Sequence, residues 1–174
     1  TTNNPGPSKL DLGAVPTGLY IDGKWRPAES GATFDVFDPS TGRSIAKVAD
    51  CSEAEAMQAV ASAYDAGPAW AATAPRVRSE ILRRCFELMT ARSAELAELI
   101  STENGKSLTD AKGEVAYAAE FFRWFAEEAV RLNGELYTAP SGANRILVVH
   151  QPIGVSVLVT PWNFPAAMAT RKIA

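Results

Sequence analysis

The sequence predicts an α/β fold in which β-hairpins and helices precede a strand of a parallel sheet. Short β-prone runs flank turn residues in the first 50 residues and again after residue 134. Helical periodicity fills the middle of the chain, from about residue 52 to residue 132. Residues 153–160 (IGVSVLVT) then form a nearly continuous apolar run. Strands that are buried on both faces have this composition, and they belong to parallel sheets covered by helices.

Composition and charge exclude several classes of protein. The 174 residues are 47% hydrophobic and 21% charged, which is typical of a globular chain and not of a disordered one. The chain has 17 Lys and Arg against 20 Asp and Glu and no long basic run, so no nucleic-acid partner is predicted. No apolar stretch approaches the roughly 20 residues that span a bilayer, so no membrane partner is predicted either. The spacing of His150, Cys51 and Cys85 predicts no metal site, and the polar N-terminus without a signal pattern favours the cytoplasm.

The first elements are predicted from their turn residues. Residues 1–18 are rich in Pro, Gly, Asn and Thr and are expected to form a loose tail. The Asp22-Gly23 pair predicts a hairpin, and residues 38–42 (DPSTG) predict a second hairpin with a longer loop. The strands are expected at residues 19–21, 24–26, 33–37 and 44–48.

Four helices are predicted in the middle of the chain. Ser52 and Glu55 form a capping box for the first helix, and Gly67-Pro68 are expected to end it. The fourth helix is apolar over most of its circumference, so we expect it to pack on two sides, with its aromatic side chains in the core. The second, third and fourth helices are expected to begin near Pro75, Ser93 and Ser107.

The pattern after residue 134 predicts a third hairpin and then a strand that leads into a helix. Residues 161–165 (PWNFP) break the apolar run 153–160, and a helix is expected from residue 166. A βαβ unit needs about 30 or more residues, and only its first half precedes Ala174. We therefore expect the chain to be the front portion of a larger α/β protein.

Chemistry is expected in the loop that follows the predicted strand. Ligands of open α/β sheets bind beyond the carboxyl ends of the strands, and a helix N-terminus offers free N–H groups. Asn163 places a neutral amide donor there, which suits a developing oxyanion. From the residues alone, a helix cap or turn residue is the preferred interpretation of Asn163, and plain packing is that of Trp162 and Phe164.

Five segments of the chain, in the same order, resemble the aldehyde dehydrogenase superfamily. The most specific is 159–165 (VTPWNFP), which is similar to the strand-to-helix signature of the family. The others are 20–25 (YIDGKW), 38–42 (DPSTG), 103–107 (ENGKS) and 151–155 (QPIGV). Two further segments, 120–129 (EFFRWFAEEA) and 164–172 (FPAAMATRK), resemble the succinate-semialdehyde dehydrogenases in particular.

The resemblance implies an aldehyde dehydrogenase-like α/β fold, with N-terminal helices and hairpins before the first strand of a parallel dinucleotide-binding sheet. It assigns residues 19–133 to the N-terminal part of the cofactor-binding domain, 134–151 to an oligomerisation hairpin and 152–174 to the truncated start of the parallel sheet. It also implies oxidation of succinate semialdehyde to succinate through a thiohemiacetal. NAD or NADP is the implied cofactor, and a homodimer or homotetramer the implied assembly.

The resemblance further implies which residues contact the reacting aldehyde and the cofactor. Asn163 matches the oxyanion-hole asparagine, whose side-chain amide would stabilise the thiohemiacetal oxygen. Together with Asn163, residues Thr160, Pro161 and Trp162 match a segment that lines the cofactor site beside the nicotinamide ribose. The nucleophilic cysteine, the general-base glutamate, the Gly-rich loop and a ribose-contacting lysine are expected beyond the end of the chain.

Substrate recognition is implied for three residues of the last helix and its approach. Phe164 and Met168 match positions in the substrate tunnel. Arg171 matches an arginine that grips the distal carboxylate of the substrate, and a guanidinium suits a carboxylate because it forms two parallel hydrogen bonds. The alternative is that Arg171 and Lys172 are solvated charges of a helix.

Two other functions stay open at this point. The enzyme could act on another small or ω-carboxylated aldehyde, such as glutarate semialdehyde. The chain could also be a truncated, non-catalytic homologue that acts by association, although a solitary hairpin and strand would then expose apolar edges. Cys51 and Cys85 lack the flanking Gly and Gln pattern of the family's nucleophile, so neither is assigned a catalytic role.

Overall fold

A computed structural model describes residues 10–174 of the chain. Residues 1–9 of the predicted N-terminal tail lie outside the described residues. The described part of that tail contains a short 3₁₀ helix, Leu12–Ala14. Asp11 is its N-cap residue. The Asp11 carboxylate accepts a hydrogen bond from the Gly13 N–H at 3.0 Å.

Three antiparallel hairpins confirm the predicted strand pairs. They are β1 (Leu19–Ile21) with β2 (Lys24–Arg26), β3 (Thr33–Phe37) with β4 (Ser44–Ala49), and β5 (Glu135–Thr138) with β6 (Arg145–Val148). The turn of the first hairpin needs two residues of positive φ, and Asp22 and Gly23 supply them, at 52° and 71°. Each hairpin is a separate two-stranded sheet among the described residues.

Residues 10–174 contain five α-helices: α1 (Glu53–Ala72), α2 (Pro75–Ala91), α3 (Ser93–Asn104), α4 (Leu108–Glu128) and α5 (Pro165–Ile173). The capping box at the start of α1 is confirmed, with Ser52 and Glu55 exchanging hydrogen bonds. The predicted end of α1 at Gly67-Pro68 is wrong, because Pro68 lies inside the helix. Pro68 can donate no hydrogen bond to the Tyr64 carbonyl, and α1 tolerates this loss in a stretch where Tyr64 is well exposed. The helix instead ends before Pro75, whose ring disfavours helical geometry at Ala74.

Helix α4 lies at the centre of the described core. It packs against α2, α3 and α5, which confirms the expectation of packing on more than one side. The buried side chains of its packed faces include Ala111, Val115, Ala118, Phe122 and Ala126. The expectation that its aromatic side chains lie in the core is confirmed for Phe122, whereas Tyr117 and Trp124 are exposed.

The predicted strand 153–160 is not formed in the structure. The segment has no regular secondary structure, and the exposed fractions of Ile153, Val157 and Val159 are 94%, 79% and 80%. A strand requires a neighbouring backbone to pair with, and no strand within residues 10–174 runs beside this segment. The apolar composition alone is therefore not sufficient to predict a strand. A strand also needs partner strands beside it. None of the helices in the described part of the chain has both the length and the apolar character needed to cross a membrane.

Candidate active site

The candidate site is the turn that leads into α5, together with the junction of α3 and α4 beside it. Residues 160–163 are exposed and approach the first turn of α5 from outside the helical core. The junction consists of the end of α3, the connecting residues Gly105, Lys106 and Ser107, and the first half of α4. Polar contacts between these two segments fix the position of the turn.

Gly105 sets the geometry of the junction. It ends α3 in the left-handed conformation, with a φ of 75°, and its N–H donates to the Ser101 carbonyl at 3.0 Å. A Cβ atom at this position would lie 2.7 Å from Cγ of Pro39, in the loop between β3 and β4. Glycine is therefore required both by the backbone conformation and by the close approach of the loop.

The loop that contacts Gly105 is itself held by Asp38. Its carboxylate accepts hydrogen bonds from the Ser40 N–H at 2.8 Å, from the Ser40 hydroxyl at 2.6 Å and from the Thr41 hydroxyl at 2.9 Å. The hydrogen bonds from Ser40, and next those from Thr41, hold the pKa of the Asp38 carboxyl below its ordinary value. Two of the segments with family resemblance, 38–42 and 103–107, thus meet in space.

The third such segment, 159–165, is tied to the same junction through its backbone. The Asn104 side-chain amide donates a hydrogen bond from Nδ2 to the carbonyl oxygen of Trp162 at 3.1 Å. The Lys106 Nζ donates to the carbonyl oxygen of Asn163 at 2.9 Å and lies 4.1 Å from the centre of the Phe164 ring. Because these contacts use carbonyl groups and the Phe164 ring, the side chains of Trp162 and Asn163 stay exposed.

Glu114 of α4 fixes the start of α5. Its side chain is fully buried, and Oε1 accepts hydrogen bonds from the N–H groups of Ala166 and Ala167 at 2.9 and 3.3 Å. The other carboxylate oxygen, Oε2, forms an ion pair with Lys106. A carboxylate at the N-terminus of a helix satisfies free N–H groups and interacts favourably with the helix dipole. The N-cap residue of α5, Phe164, makes no side-chain capping hydrogen bond, so Glu114 caps the helix from α4 instead.

Small side chains allow α5 to lie close to α4. Ala167 is completely buried, and Ala166 packs against a cluster formed by Ala97, Ile100, Ala111 and Val115. Thr170, also buried, donates from its hydroxyl to the Ala166 carbonyl at 3.1 Å. Arg171 follows Ala167 by four residues, so it lies at the edge of this packed face, where its side chain is exposed.

The structure brings the predicted substrate-binding residues onto one side of α5. Phe164, Met168 and Arg171 are spaced by four and three residues, so they follow one another along the helix surface. Arg171 lies about 9 Å along the helix axis from the first residue of α5, because a helix rises about 1.5 Å per residue. Met168 is half-buried and Arg171 exposed, and Arg171 has no ion-pair partner in the described part of the chain.

Asn163 occupies a turn, as the residue-based interpretation allowed, but it is not the helix cap. The N-cap residue is Phe164, which makes no side-chain capping hydrogen bond. Within residues 10–174, the Asn163 side-chain amide forms no hydrogen bond with the protein, so its N–H groups are available to a ligand. Thr160, Pro161 and Trp162 precede it in an exposed chain segment, where they present an open surface.

Sequence reasoning gave no role to Lys106 or Glu114, which the structure places at the centre of the site. Lys106 belongs to the segment 103–107, which was noted only for its family resemblance. Glu114 lies on the buried face of α4 beside Ala111, Val115 and Ala118. A carboxylate on an otherwise apolar helix face signals a buried, paired charge, because burial without a partner is costly. That signal was present in the sequence.

An open cleft of about 440 Å³ borders the ion pair and the turn. Its lining includes Thr109, Tyr117 and Phe164, together with Lys106 and Glu114 themselves. Among the described residues, no group of three or more His, Cys, Asp or Glu side chains is arranged to hold a metal ion. Cys51 lies exposed before α1 and Cys85 lies on α2, so neither belongs to the elements that form the site.

Comparisons with known proteins show to which family the chain is similar. Residues 25–174 match the sequence model of the aldehyde dehydrogenase family. The succinate-semialdehyde dehydrogenase of Paenarthrobacter nicotinovorans is 55% identical over 130 residues, which cover 75% of this chain and 29% of that protein. The glutarate-semialdehyde dehydrogenase of Pseudomonas putida is 49% identical over 153 residues, which cover 88% of this chain and 32% of that protein.

Solved structures of aldehyde dehydrogenases have the same fold as this chain over most of its length. The crystal structure of succinate-semialdehyde dehydrogenase from Burkholderia pseudomallei is 46% identical and superposes with a TM-score of 0.89, over 95% of this chain and 35% of that chain. PnpE in complex with nicotinamide adenine dinucleotide is 34% identical, with a TM-score of 0.85, over 91% of this chain and 33% of that chain.

A third sequence relative carries NADP(+) in its name. It is succinate-semialdehyde dehydrogenase [NADP(+)] 1 of Schizosaccharomyces pombe, which is 44% identical over 99% of this chain and 35% of that protein. The chain thus spans about a third of the length of the relatives that it matches.

Proposed function

The chain belongs to the aldehyde dehydrogenase family, and on this basis we propose that it forms part of an NAD(P)-dependent succinate-semialdehyde dehydrogenase. The proposed reaction is the oxidation of succinate semialdehyde to succinate through a thiohemiacetal. Family membership accounts for an aldehyde as substrate, and the residues of α5 account for the choice of aldehyde. The nucleophilic cysteine and the general-base glutamate of the reaction are assigned to parts of the enzyme other than these 174 residues.

The observation that carries the proposal is the separation of backbone and side-chain roles in the turn 162–164. Backbone carbonyls of Trp162 and Asn163 are bound by Asn104 and Lys106, so the backbone at Asn163 is held in place and its side-chain N–H groups stay free. A donor on an anchored backbone can stabilise negative charge that develops on an aldehyde oxygen with little reorganisation. We assign Asn163 this role.

The proposed substrate class follows from what lies beyond Asn163. Phe164 and Met168 provide apolar contact surface, and Arg171 provides a free guanidinium farther along the same side of α5. An aldehyde with a carboxylate at its other end matches a donor at one end, an apolar middle and a cation at the far end. A guanidinium binds a carboxylate with two parallel hydrogen bonds, which orients the substrate as well as attracting it.

The residues before Asn163 fit a nicotinamide dinucleotide. Thr160, Pro161 and Trp162 are exposed, and in residues 10–174 no side chain covers them, which leaves room for a ribose and a nicotinamide ring. We propose that these residues hold NAD or NADP beside the nicotinamide ribose. When bound, the cofactor would supply the acceptor for the hydride that leaves the substrate carbon. Asn163, at the end of the segment, would then face both cofactor and aldehyde.

The main alternative is a glutarate-semialdehyde dehydrogenase, which the P. putida relative supports at 49% identity. The two substrates differ by one methylene, and both carry the distal carboxylate that Arg171 would bind. One methylene in an apolar pocket is worth about 1–3 kcal/mol, so either enzyme could turn over both aldehydes at different rates. The third alternative is a non-catalytic homologue that acts by association.

A single set of assays separates these alternatives. The enzyme that contains this chain is mixed with succinate semialdehyde, glutarate semialdehyde or propanal, each with NAD and with NADP, and formation of the reduced cofactor is followed by absorbance. We expect the highest kcat/KM with succinate semialdehyde. A higher value with glutarate semialdehyde supports the alternative enzyme, and a higher value with propanal contradicts the role of Arg171. Absence of turnover with every pair leaves the non-catalytic alternative.

We also propose a homodimer or homotetramer in which the hairpin of β5 and β6 contributes to the interface. Leu136 and Leu147 are directly opposite each other in this hairpin and are 67% and 69% exposed. Sedimentation velocity of the enzyme should give the mass of two or four subunits, and a monomer contradicts this assignment. The cytoplasm is the proposed location.

A further inference from the structure

Lys106 and Glu114 form a buried ion pair that joins three structural elements at one point. Glu114 is on α4, and its carboxylate binds the first two N–H groups of α5. Lys106 is in the α3–α4 connection, and its ammonium group binds the Asn163 carbonyl and lies over the Phe164 ring. The ammonium and the carboxylate bind each other, and their side chains are 15% and 0% exposed.

We infer that Lys106 and Glu114 are positioning residues that hold the Asn163 amide at the angle needed for oxyanion stabilisation. This inference rests on the proposed function, because it assigns the ion pair a role only through Asn163. Neither charged group is assigned contact with substrate or cofactor. Lys106 fixes the peptide that follows the Asn163 Cα, and Glu114 fixes the helix that follows that peptide.

Apart from the ion pair, one side-chain hydrogen bond within residues 10–174 holds the turn, from Asn104 to the Trp162 carbonyl. Asn163 makes no side-chain hydrogen bond within residues 10–174, and the preceding residues 153–160 are without regular structure there. The backbone position of Asn163 is therefore set by its own carbonyl, by the start of α5 and by the Asn104 hydrogen bond to the Trp162 carbonyl. The first two of these are bound to the same ion pair. A donor misplaced by about 1 Å can cost roughly a hundredfold in rate, so a small movement of the turn is sufficient to matter.

Both members of the pair need to be charged for a structural reason. A neutral acceptor at position 114 could still bind the N–H groups of α5, but it would leave the Lys106 ammonium partly buried without a counter-charge. Removal of Lys106 would leave the Glu114 carboxylate buried with only the two amide donors. Each partner is therefore needed to keep the other in place.

The test is a double-mutant cycle between Lys106 and Asn163, measured in the enzyme that contains this chain. Lys106→Met removes the ammonium and keeps an unbranched side chain of similar length. We expect kcat and kcat/KM for the aldehyde to fall together by roughly tenfold to a hundredfold with KM unchanged. In the Asn163→Ala background the same substitution should cause little further loss, because the donor that it positions is already absent.

Conservative and control variants separate positioning from simple destabilisation. Lys106→Arg should restore most of the activity, since it retains a cationic donor. Lys112→Met removes an exposed lysine of the neighbouring helix and should leave kcat unchanged. Where Lys106→Met fails to fold, Glu114→Gln takes its place in the cycle. It keeps an acceptor for the N–H groups of α5 and removes the counter-charge of Lys106.

The outcomes distinguish this inference from the proposed function. If Asn163→Ala leaves kcat unchanged, the oxyanion role itself is wrong and the inference falls with it. If Asn163→Ala lowers kcat but the losses from Lys106→Met and Asn163→Ala multiply, the ion pair acts elsewhere and the inference alone is overturned. Hydrogen exchange adds a direct readout: the amides of Ala166 and Ala167, which donate to Glu114, should exchange faster in Lys106→Met, and unchanged exchange contradicts the inference.

Discussion

Gly105 ends α3 with a φ of 75°, in contact with Pro39 of the β3–β4 loop. We expect Gly105→Ala to destabilise the protein by at least about 1–2 kcal/mol, because a Cβ is strained in the left-handed conformation and would also collide with the proline ring. Gly113 is the matched control, since it lies inside α4 with nothing within 4 Å of an added Cβ. Gly113→Ala should stabilise by about 0.5–1 kcal/mol in the same denaturant titration. Equal effects of the two substitutions would contradict this role of Gly105.

The Glu55 carboxylate provides a prediction about pH. It accepts hydrogen bonds from the backbone N–H groups of Ser52 and Glu29 and from the Ser52 hydroxyl, and these bonds hold the pKa of Glu55 below its ordinary value of 4.5. Since the folded-state pKa is the lower one, the contribution of Glu55 to stability is complete above pH 4.5 and is lost as the pH falls through the folded-state value. Glu55→Gln should therefore lower the melting temperature at neutral pH, and the difference from the parent protein should shrink in acid. A difference that is the same at every pH would show that the charge of Glu55 has no part in it.

At the scale of elements, the packing of α4 against its neighbours depends on alanine. Ala111 is completely buried in the cluster with Ala97, Ile100 and Val115, next to the connection that carries Lys106. Ala111→Leu should destabilise the protein by about 1–3 kcal/mol, because extra methylenes must displace α3 from α4. Ala116→Leu places the same side chain on the exposed face of α4 and should be close to neutral. Comparable losses of unfolding free energy in the two variants would show that the cluster is not tightly packed.

The elements differ in how well the sequence predicts them. Short-range chemistry is sufficient for the hairpin at Asp22-Gly23 and for the capping box of Ser52 and Glu55, since the residues that define each lie within eight positions of one another. Pro68 shows a limit of the rule that proline ends a helix, because α1 continues through it to Ala72. Whether a helix continues depends on how its surroundings compensate for the hydrogen bond that proline removes. The run 153–160 shows another limit, because a strand exists only with partner strands beside it.

The candidate site is predictable in part for the same reason. Asn163 and Arg171 stand in a recognisable segment, so resemblance assigns them roles directly. Lys106 binds a carbonyl 57 residues away, and Glu114 binds amides 52 and 53 residues away. Contacts over such separations follow from the tertiary packing of α4, α5 and the α3–α4 connection, which local periodicity does not contain. The buried position of Glu114 on an apolar face was the available clue.

For the whole molecule, three segments that are distant in sequence meet at one surface. The 38–42 loop contacts Gly105, the 103–107 segment binds the 162–164 turn, and that turn leads into the helix that carries Arg171. The 174 residues thus contain an anchored turn with an exposed amide at Asn163, followed by a helix with an exposed cation at Arg171. On the proposed function, these two groups bind the two ends of the substrate.

The selectivity for a carboxylated aldehyde tests this proposal most directly. The measurement is the ratio of kcat/KM for succinate semialdehyde to that for propanal, in the parent enzyme and in Arg171→Ala. A charge-assisted hydrogen bond contributes about 1.5–3 kcal/mol, so we expect the ratio to fall by about tenfold to a hundredfold in Arg171→Ala. Arg84→Ala, which removes an exposed arginine of α2, should leave the ratio unchanged. A ratio that is the same in Arg171→Ala and in the parent enzyme would contradict the assignment of Arg171 to the substrate carboxylate.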